Sequence, residues 1–549
     1  MHGGQALARA SAWALATAAM MVAASCEPLY QPPRLQGRPC PAAVRAASPA
    51  SQPSSQPGIP AVGPVSLDVA TAVVLALDNN KSLVVERYNP PIRRTFEQQE
   101  RAVFDPLLTG AVSAGSAHAD SNLADVPGRT SDVLLGVRQF LPTGATLGAS
   151  VETSSQAKDV FGSRVGLSAT QALLRGFGTQ VNLVSLRQAQ IDTLSSQYEL
   201  RGLAEAIVAQ AEEAYWDYAL AGRQIEIVTP SLDLAQQQLD EVDERIRVGR
   251  LAATERAAAQ AEVALRRENL IDARSIMEKS RLQLLRLVNP PGSDALGREV
   301  VLLQQPVVPR TPLDPVAEHL QLAYCMRPDL NQARLQVQKG DLQIVRTRNG
   351  LLPRLDAFIA LGKTGYARTF GESWGDMSAD GYDLLVGLRG EYPLGNRDAR
   401  AQFIRSELAK EQSVEAVANL AQLVELDVRT GYTEVARARE QVTATAATRA
   451  LQEEKLRSEN EKFRVGRSTS LQVAQVQRDL LAAQIEEVRA VVAYVKGQIE
   501  LYRLEGSLLL RRGIASPGGE PALMEYPGAK DKALSRGLSG TVTHELPRQ

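Results

Sequence analysis

The chain has little of what most enzymes and disulfide-stabilised proteins depend on. Its 549 residues include three cysteines and four histidines, and aromatic residues make up only 5%. Beyond the N-terminal segment only Cys40 and Cys325 remain, too few for a disulfide framework. The net charge of −1 gives no electrostatic reason to expect nucleic acid as a partner. After the N-terminus no run of 18 apolar residues occurs, so a transmembrane helix is not expected.

Motifs for catalysis and cofactor binding are missing as well. The HExxH, CxxC and P-loop patterns do not occur. Gly176-Phe177-Gly178 begins like a dinucleotide-binding loop, but no third glycine follows and no parallel-strand unit surrounds it. His319 stands beside Glu318 in a predicted helix and has no metal-ligand spacing around it. We therefore expect neither an enzyme nor a protein with a metal or organic cofactor.

What the chain does contain is one long segment that occurs twice. The hexapeptide Arg245–Arg250 corresponds to Lys462–Arg467 at an offset of 217 residues (462 minus 245). The same offset relates two apolar rows with the spacing of one helical face. The rows are Leu203, Ile207, Ala211, Tyr215 and Tyr218, and Leu420, Val424, Val428, Tyr432 and Val435. A period this long exceeds that of short-repeat solenoids, so a whole domain is duplicated.

Each copy is expected to contain a very long helical hairpin. Few helix breakers interrupt the roughly 70 residues before Gly249 and before Gly466, and a continuous helix of that length would span roughly 105 Å. Pro230 is expected to kink its helix without ending it. Return helices are predicted at about 252–287 and 469–505. Glycine suits the turn between each long helix and its return helix because it readily adopts positive φ.

In each copy a helical stretch (about 66–104 and 315–350) closes at a proline, Pro106 or Pro353, which opens a short β-like stretch. Strand-like segments precede each hairpin, giving the order helix, strand, loop, strand, long helix, tip, helix. The segments are Val133–Thr153, Val165–Leu174, Arg354–Gly362 and Asp383–Tyr392. Aromatic residues flank them, as in the interfacial girdles of an outer-membrane barrel. A small soluble sheet is the alternative. Four strands cannot close a barrel alone, and lipid does not tolerate an open sheet edge, so a barrel requires several chains.

The first copy has an insertion. The offset between the copies falls from 247 at Leu108 and Leu355 to 221 at Val165 and Val386, which leaves about 26 additional residues (247 minus 221) in the first copy. These cover Val133–Thr153, which alternates and turns at Pro142-Thr143-Gly144 like a β-hairpin.

The N-terminus has the pattern of a secretory signal. Arg9 precedes an apolar stretch that ends in Ala23-Ala24-Ser25-Cys26, similar to a bacterial lipobox in which Cys26 is lipidated. Ordinary signal cleavage is the alternative. The expected domains are a signal peptide (1–25), a Pro/Ser-rich tether (26–64), a first repeat (65–290), a linker (291–314), a second repeat (315–508) and a disordered tail (509–549).

Several motifs, in this order and spacing, resemble the TolC-like outer-membrane efflux protein family over about residues 65–508. They are Gln171–Gly176, Ala323–Leu330, Leu351-Leu352-Pro353, Glu391–Leu394, and Phe463-x-Val465-Gly466-x-Ser468 followed by Leu471–Gln477. The resemblance implies a mostly α-helical fold with a small membrane β-barrel. In it a homotrimer forms an α-barrel tunnel through the periplasm, with four strands per chain closing a twelve-stranded β-barrel.

The function implied by the resemblance is a passive exit duct for tripartite efflux or type I secretion. Its partners are a periplasmic adaptor protein, an inner-membrane transporter and outer-membrane lipid. The location implied is the outer membrane with an extension into the periplasm, with a lipid anchor at Cys26. A periplasmic coiled-coil scaffold lipoprotein without a pore is the competing interpretation.

By the same resemblance, the helix tips contact the adaptor. These are Val248, Gly249, Arg250 and Leu251 in the first copy and Val465, Gly466, Arg467 and Ser468 in the second. Alternatively, the tip arginines simply complement exposed carbonyls at helix ends. Family members often place an acidic residue six positions after the second tip glycine. Here that position is Gln472, followed by Gln475, and Glu255 is its first-copy equivalent, so these three are the candidate pore-lining gate.

Overall fold

The computed structural model describes residues 63–515, apart from 120–125, 157–159, 250–251, 293, 309–312, 379–380 and 466. The expected signal peptide, Cys26 and nearly all of the tether lie outside the described residues, as do the tip residues Arg250, Leu251 and Gly466. Within this part of the chain no helix is both long and apolar enough to span a membrane.

The elements of the first half are, in chain order, β1 (Val65–Leu67), α1 (Val69–Asn79), α2 (Lys81–Glu86), α3 (Asn89–Arg101), β2 (Leu107–Ala119), β3 (Val126–Phe140), β4 (Ala145–Gln156), β5 (Val160–Ala172), α4 (Thr179–Asn182), α5 (Val184–Arg247) and α6 (Glu255–Val288). Those of the second half are β6 (Val300–Leu302), α7 (Val316–Met326), α8 (Pro328–Gly350), β7 (Arg354–Ala367), α9 (Phe370–Gly375), β8 (Tyr382–Glu391), α10 (Arg397–Arg464), α11 (Ser470–Leu504) and α12 (Leu508–Arg511). The chain is mostly helical with one larger sheet, as predicted.

Both long hairpins are present. Helix α5 has 64 residues and α10 has 68, roughly 100 Å each at the usual rise per residue. Helix α5 packs against α6, and α10 packs against α11. Helix α5 continues through Pro230, as expected. The first tip turns at Gly249, whose φ is +71°, the conformation for which glycine was expected there.

The helices before the strands are broken where single helices were expected. The stretch 66–104 is divided into α1, α2 and α3, and 315–350 into α7 and α8. At the first break Asn80 is extended, and its side chain accepts hydrogen bonds from the N–H groups of Ser82 and Leu83, which caps α2. At the second break Arg327 is extended because Pro328, the first residue of α8, disfavours helical backbone before it.

The larger sheet has six antiparallel strands in the order β2-β3-β4-β5-β7-β8. The predicted hairpin is confirmed as β3 and β4, and it lies between β2 and β5. The expectation of four strands per chain, and with it a twelve-stranded barrel from three chains, does not match this sheet. Val133–Thr153 contributes to two strands. The short β-like stretch expected after Pro106 is a further strand, β2, of 13 residues, and its length was not predicted because its many glycine, alanine and serine residues have little strand propensity.

A small parallel sheet of β1 and β6 lies against the repeated tyrosine of the first copy. The hydroxyl of Tyr215 donates to the carbonyl oxygen of Leu67 (3.2 Å) and accepts from the N–H of Gln304 (3.1 Å). The Tyr218 hydroxyl donates to the carbonyl oxygen of Val300 (3.1 Å). Two tyrosines thus tie the two short strands to the first long helix.

The apolar rows of both copies pack into hydrophobic cores, as predicted. In the first copy Ile207 and Tyr215 are buried, and in the second Val424 is buried. Tyr432, the counterpart of Tyr215, is half-buried, and its ring centroid lies 5.9 Å from that of His319. Because the same positions are used, the two copies pack their long helices in the same way.

The packed chain continues beyond residue 508, where the second repeat was expected to end. Leu508 and Leu509 are buried in the core. The guanidinium of Arg512 donates two hydrogen bonds of 2.6 Å to the buried carboxylate of Glu212 on α5. The first residues of the expected tail, 509–549, therefore belong to the folded domain.

Candidate functional site

The side chains of the six-stranded sheet separate onto two chemically different faces. Residues directly opposite each other on neighbouring strands lie on the same face, so the pairing register assigns each side chain to a face. Leu167 on β5 lies opposite Leu361 on β7, which lies opposite Leu384 on β8. We call the face that carries Leu167 the apolar face and the face that carries Arg164 the polar face.

The apolar face has exposed hydrophobic residues on five of the six strands, and on β4 its Leu147 and Val151 are half-buried. Its exposed hydrophobic residues are Leu108, Val112, Val133, Leu135, Val137, Val165, Leu167, Ile359, Leu361, Leu384, Val386 and Leu388. Among the residues of this face whose side chains are described, the one charged residue is Lys363. It lies opposite Tyr382 near the strand ends remote from the long helices, where a long side chain can reach an aqueous interface. An apolar surface that covers six strands is suited to lipid and not to water.

The polar face is rich in glycine, serine, threonine and charge. Its charged residues are Asp132, Arg138, Glu152, Arg164, Arg354, Asp356, Asp383, Arg389 and Glu391. The exceptions to this composition are large hydrophobic residues near the strand ends and within the strands, namely Leu107, Leu134, Phe140, Val160, Phe358, Tyr366 and Leu385. The separation of an apolar from a polar face is the alternation found in strands that have lipid on one side and a water-filled lumen on the other.

An ion pair crosses one strand of the polar face. Arg164 on β5 and Asp383 on β8 meet at 2.7 Å above the intervening strand β7. The residue beneath them is Gly362, at which an added Cβ would collide with the Asp383 carboxylate. Glycine at this position therefore leaves room for the ion pair to link two strands that do not pair with each other.

The two helix tips are built differently. At the first, Val248 and Gly249 end α5, and the return helix begins at Glu255. At the second, Thr469 caps α11 in a reciprocal arrangement: its hydroxyl accepts from the N–H of Gln472 (3.2 Å), whose side chain accepts from the N–H of Thr469 (3.3 Å). Val248 and Val465 are exposed at the two tips.

The tip arginines are paired within their own helices. Arg247 meets Glu244 at 2.6 Å, and Arg464 meets Glu461 at 3.1 Å. All four side chains are exposed, so these pairs contribute little to stability. They do balance the positive charge, which makes the described part of the tips less basic than the sequence suggested.

The two tips lie beside each other. The guanidinium of Arg245 from the first hairpin lies 5.0 Å from the ring centroid of Phe463 in the second. Within the first hairpin Arg256 joins Asp243 at 2.6 Å, which links the return helix to α5. A partner that binds at the tips therefore meets one composite surface.

The three candidate gate residues lie in the first turns of the return helices. Glu255 is the first residue of α6 and is half-buried. Gln472 is exposed but is engaged in capping α11, while Gln475 is exposed one turn later. The structure therefore assigns Gln472 a local role at the helix start.

A cluster of buried polar side chains, not predicted from sequence, lies where α5, α7 and the end of α11 meet. Glu205 on α5 is bonded to Arg201 at 3.2 Å, and Arg201 donates to the carbonyl oxygen of Gly506 (2.7 Å). Glu505 is fully buried and lies 2.5 Å from Nδ1 of His319. Two buried acids seven residues apart on α5, Glu205 and Glu212, were the available sequence signal, since this spacing places them on one helical face.

Burial raises the pKa of Glu205 from its ordinary value of 4.5 to about 7. Arg201 and Arg503 act in the opposite direction, and Glu505 raises the pKa further. The energetic cost of burying the charged carboxylate therefore outweighs its ion pair.

Comparison with known proteins agrees with this architecture. Residues 319–507 match the family model described as outer membrane efflux protein. No curated protein sequence matches the chain significantly. The fold is similar to that of the CmeC outer membrane channel of Campylobacter jejuni, with 14% identity, 83% of this chain and 87% of that chain covered, and a TM-score of 0.62.

Two further solved structures are similar. The outer membrane protein VceC of Vibrio cholerae has 16% identity over 80% of this chain and 96% of that chain, with a TM-score of 0.61. The MtrE outer membrane channel of Neisseria gonorrhoeae, in its open state, has 17% identity over 80% and 89%, with a TM-score of 0.57. The predicted resemblance to outer-membrane efflux proteins is thus confirmed, and at these identities the solved structures establish the fold.

The raised pKa of Glu205 predicts a pH-dependent stability. Its folded pKa of about 7 exceeds the ordinary 4.5, so its contribution is fully present below pH 4.5 and is lost as the pH rises through about 7. Between pH 5 and pH 8 this amounts to about 2 to 3 kcal/mol. We expect the Glu205→Gln variant to lack this component when thermal unfolding is compared at the two pH values. Glu199→Gln, an exposed site on the same helix, should retain the wild-type dependence; a Glu205→Gln profile equal to wild type would contradict the assignment.

Proposed function

We propose that this chain, whose residues 319–507 match the outer membrane efflux protein family, is a subunit of an outer-membrane channel and not an enzyme. The observation that carries the proposal is the sheet with one exposed apolar face and one polar face, joined to two long helical hairpins. The apolar face would contact lipid and the polar face would line a water-filled lumen. Substrates would pass through passively, from the periplasm to the exterior.

The channel is a homotrimer in this proposal. A single six-stranded sheet leaves its outer strands, β2 and β8, with unpaired backbone groups. Lipid offers these groups no hydrogen-bond partners, so neighbouring copies must pair with them. The resemblance to the efflux proteins supports three copies. It also supports a periplasmic adaptor and an inner-membrane transporter as partners, in tripartite efflux or type I secretion.

A periplasmic coiled-coil scaffold lipoprotein is the competing function. Such a scaffold would account for the long hairpins, but in water it would not require an apolar surface over six strands. The sheet therefore favours the channel.

The channel predicts a trimer that conducts ions. Protein purified in detergent should have about three times the mass of the mature chain, since three copies are needed to close the sheets. In a planar bilayer it should give discrete conductance steps. A stable monomer without conductance would exclude the channel and favour the scaffold.

We further propose that Cys26 carries a lipid anchor, and that the sheet holds the protein in the membrane even without this anchor. In cells, Cys26→Ser should abolish labelling by a radioactive fatty acid. The protein should still resist extraction by alkaline carbonate, because the apolar face remains in the membrane. Release of the variant into the soluble fraction would instead fit the scaffold, and undiminished labelling would refute lipidation at this residue.

The helix tips are proposed as the adaptor-contacting surface. Exposed valines at both tips, and the contact between Arg245 and Phe463 that joins the tips, support a shaped surface at the ends of the hairpins. The neighbouring Glu255, with Gln472 and Gln475, is proposed to lie at the channel entrance. Because Gln472 stands where family members often have an acidic residue, the second hairpin would add no carboxylate at that position, and only Glu255 would supply one from each copy.

Replacing Gly249 by valine should remove adaptor binding while leaving the trimer intact. A β-branched residue is strained at a φ of +71°, so the turn and its exposed neighbours shift. The measurement is crosslinking of the adaptor in whole cells, alongside conductance of the purified protein. Gly222→Val is the matched control, since Gly222 lies within the same helix, in helical conformation, and has open space where a Cβ would be added. Normal crosslinking in Gly249→Val would contradict a docking role for the tip.

A further inference from the structure

The hairpin of β3 and β4 has no counterpart in the second copy of the repeat, which has only β7 and β8 before its long helix. It is nevertheless paired along its whole length. Val112 on β2 lies opposite Val133, Leu135 lies opposite Val151 on β4, and Val151 lies opposite Val165 on β5. The hairpin thus separates β2 from β5 and is a continuous part of the sheet.

The hairpin has the same two faces as the rest of the sheet. Val133, Leu135 and Val137 are exposed on the apolar face. On the polar face β4 has small and charged residues, among them Ser150 and Glu152. If the hairpin lay outside a barrel wall, with water on both faces, nothing would favour the same alternation of apolar and polar side chains as in the neighbouring strands.

The turn between β3 and β4 is hydrogen-bonded to the segment that leads into the first long helix. The N–H of Gly178 donates to the carbonyl oxygen of Thr143 (3.0 Å). The side chain of Asn182 donates to the carbonyl oxygens of Pro142 (3.1 Å) and Gly176 (2.9 Å). Gly144 has a φ of +89°, and a Cβ there would collide with the carbonyl oxygen of Gly176. Such specific contacts hold the hairpin in the wall.

From these observations, and resting on the proposed function, we propose that three copies close an eighteen-stranded barrel, with six strands from each copy. Strand β2 of one copy pairs with β8 of the next, which run antiparallel because the number of strands in each sheet is even. Barrel diameter grows roughly linearly with strand number, so this barrel is about one and a half times as wide as one of twelve strands.

The added width has a consequence for the cargo. Barrels of 16–18 strands leave an open aqueous channel, and here the added wall presents small and charged side chains to it. The barrel section would therefore admit molecules of larger cross-section than a twelve-stranded barrel does.

Electron cryomicroscopy of the full-length protein in lipid nanodiscs tests the strand number directly. We expect a trimer with eighteen strands and residues 126–156 within the wall. A trimer with twelve strands, and this segment outside the wall, would overturn the inference and leave the proposed function intact. Absence of any barrel would overturn the proposed function itself.

Cysteine scanning gives an independent measurement in cells, on a background in which Cys40 and Cys325 are replaced by serine. A membrane-impermeant thiol reagent should label Leu134→Cys and Ser150→Cys on the polar face and spare Leu135→Cys and Val151→Cys on the apolar face. The control pair on β5 is Ser168→Cys and Leu167→Cys, which should differ in the same way.

The control strand makes the outcomes distinguishable. Alternation on β5 without alternation on β3 and β4 would overturn the inference alone. Loss of alternation on all three strands would mean that the sheet does not separate lipid from water, and would count against the channel.

Discussion

A lipid bilayer offers no hydrogen-bond partner to a peptide group, and in the proposed channel the sheet is organised around that constraint. Each interior strand pairs on both sides, so unpaired backbone is confined to β2 and β8. Alternation then sends apolar side chains such as Leu167 and Leu384 to one face and charged ones such as Arg164 to the other. In the proposed channel, edge pairing and facial separation together would make a membrane wall out of segments that are individually too polar to cross lipid.

In the helical part the constraint is different, because buried polar groups there must find their hydrogen-bond partners within the chain. Tyr215 binds the backbone of β1 and of the segment after β6, and Arg512 pairs with the buried carboxylate of Glu212. Near the cluster around Glu505 the chain ends its last long helix and turns back into the core. These contacts set the position of the hairpin bases, from which the tips extend.

At the tips, some features follow from the local sequence and others from tertiary packing. Glycine at the first turn was predictable, because only the backbone conformation mattered. The ion pairs of the tip arginines are local as well, since Arg247 pairs with Glu244 one turn earlier on the same helix. The contact of Arg245 with Phe463 joins residues from different copies of the repeat, so it has no local sequence signal.

By itself the sequence determined the duplication, the two long helical hairpins, the inserted hairpin and the resemblance to outer-membrane efflux proteins. The first three follow from periodicity and spacing along the chain, and the resemblance rests on short motifs and their order. Only the tertiary structure decided the strand number, since the sequence indicated only a short β-like stretch at the start of β2, and pairing with β3 sets its full length. It also decided the helix breaks at Asn80 and Arg327 and the raised pKa of Glu205, because burial and capping depend on neighbours far along the chain.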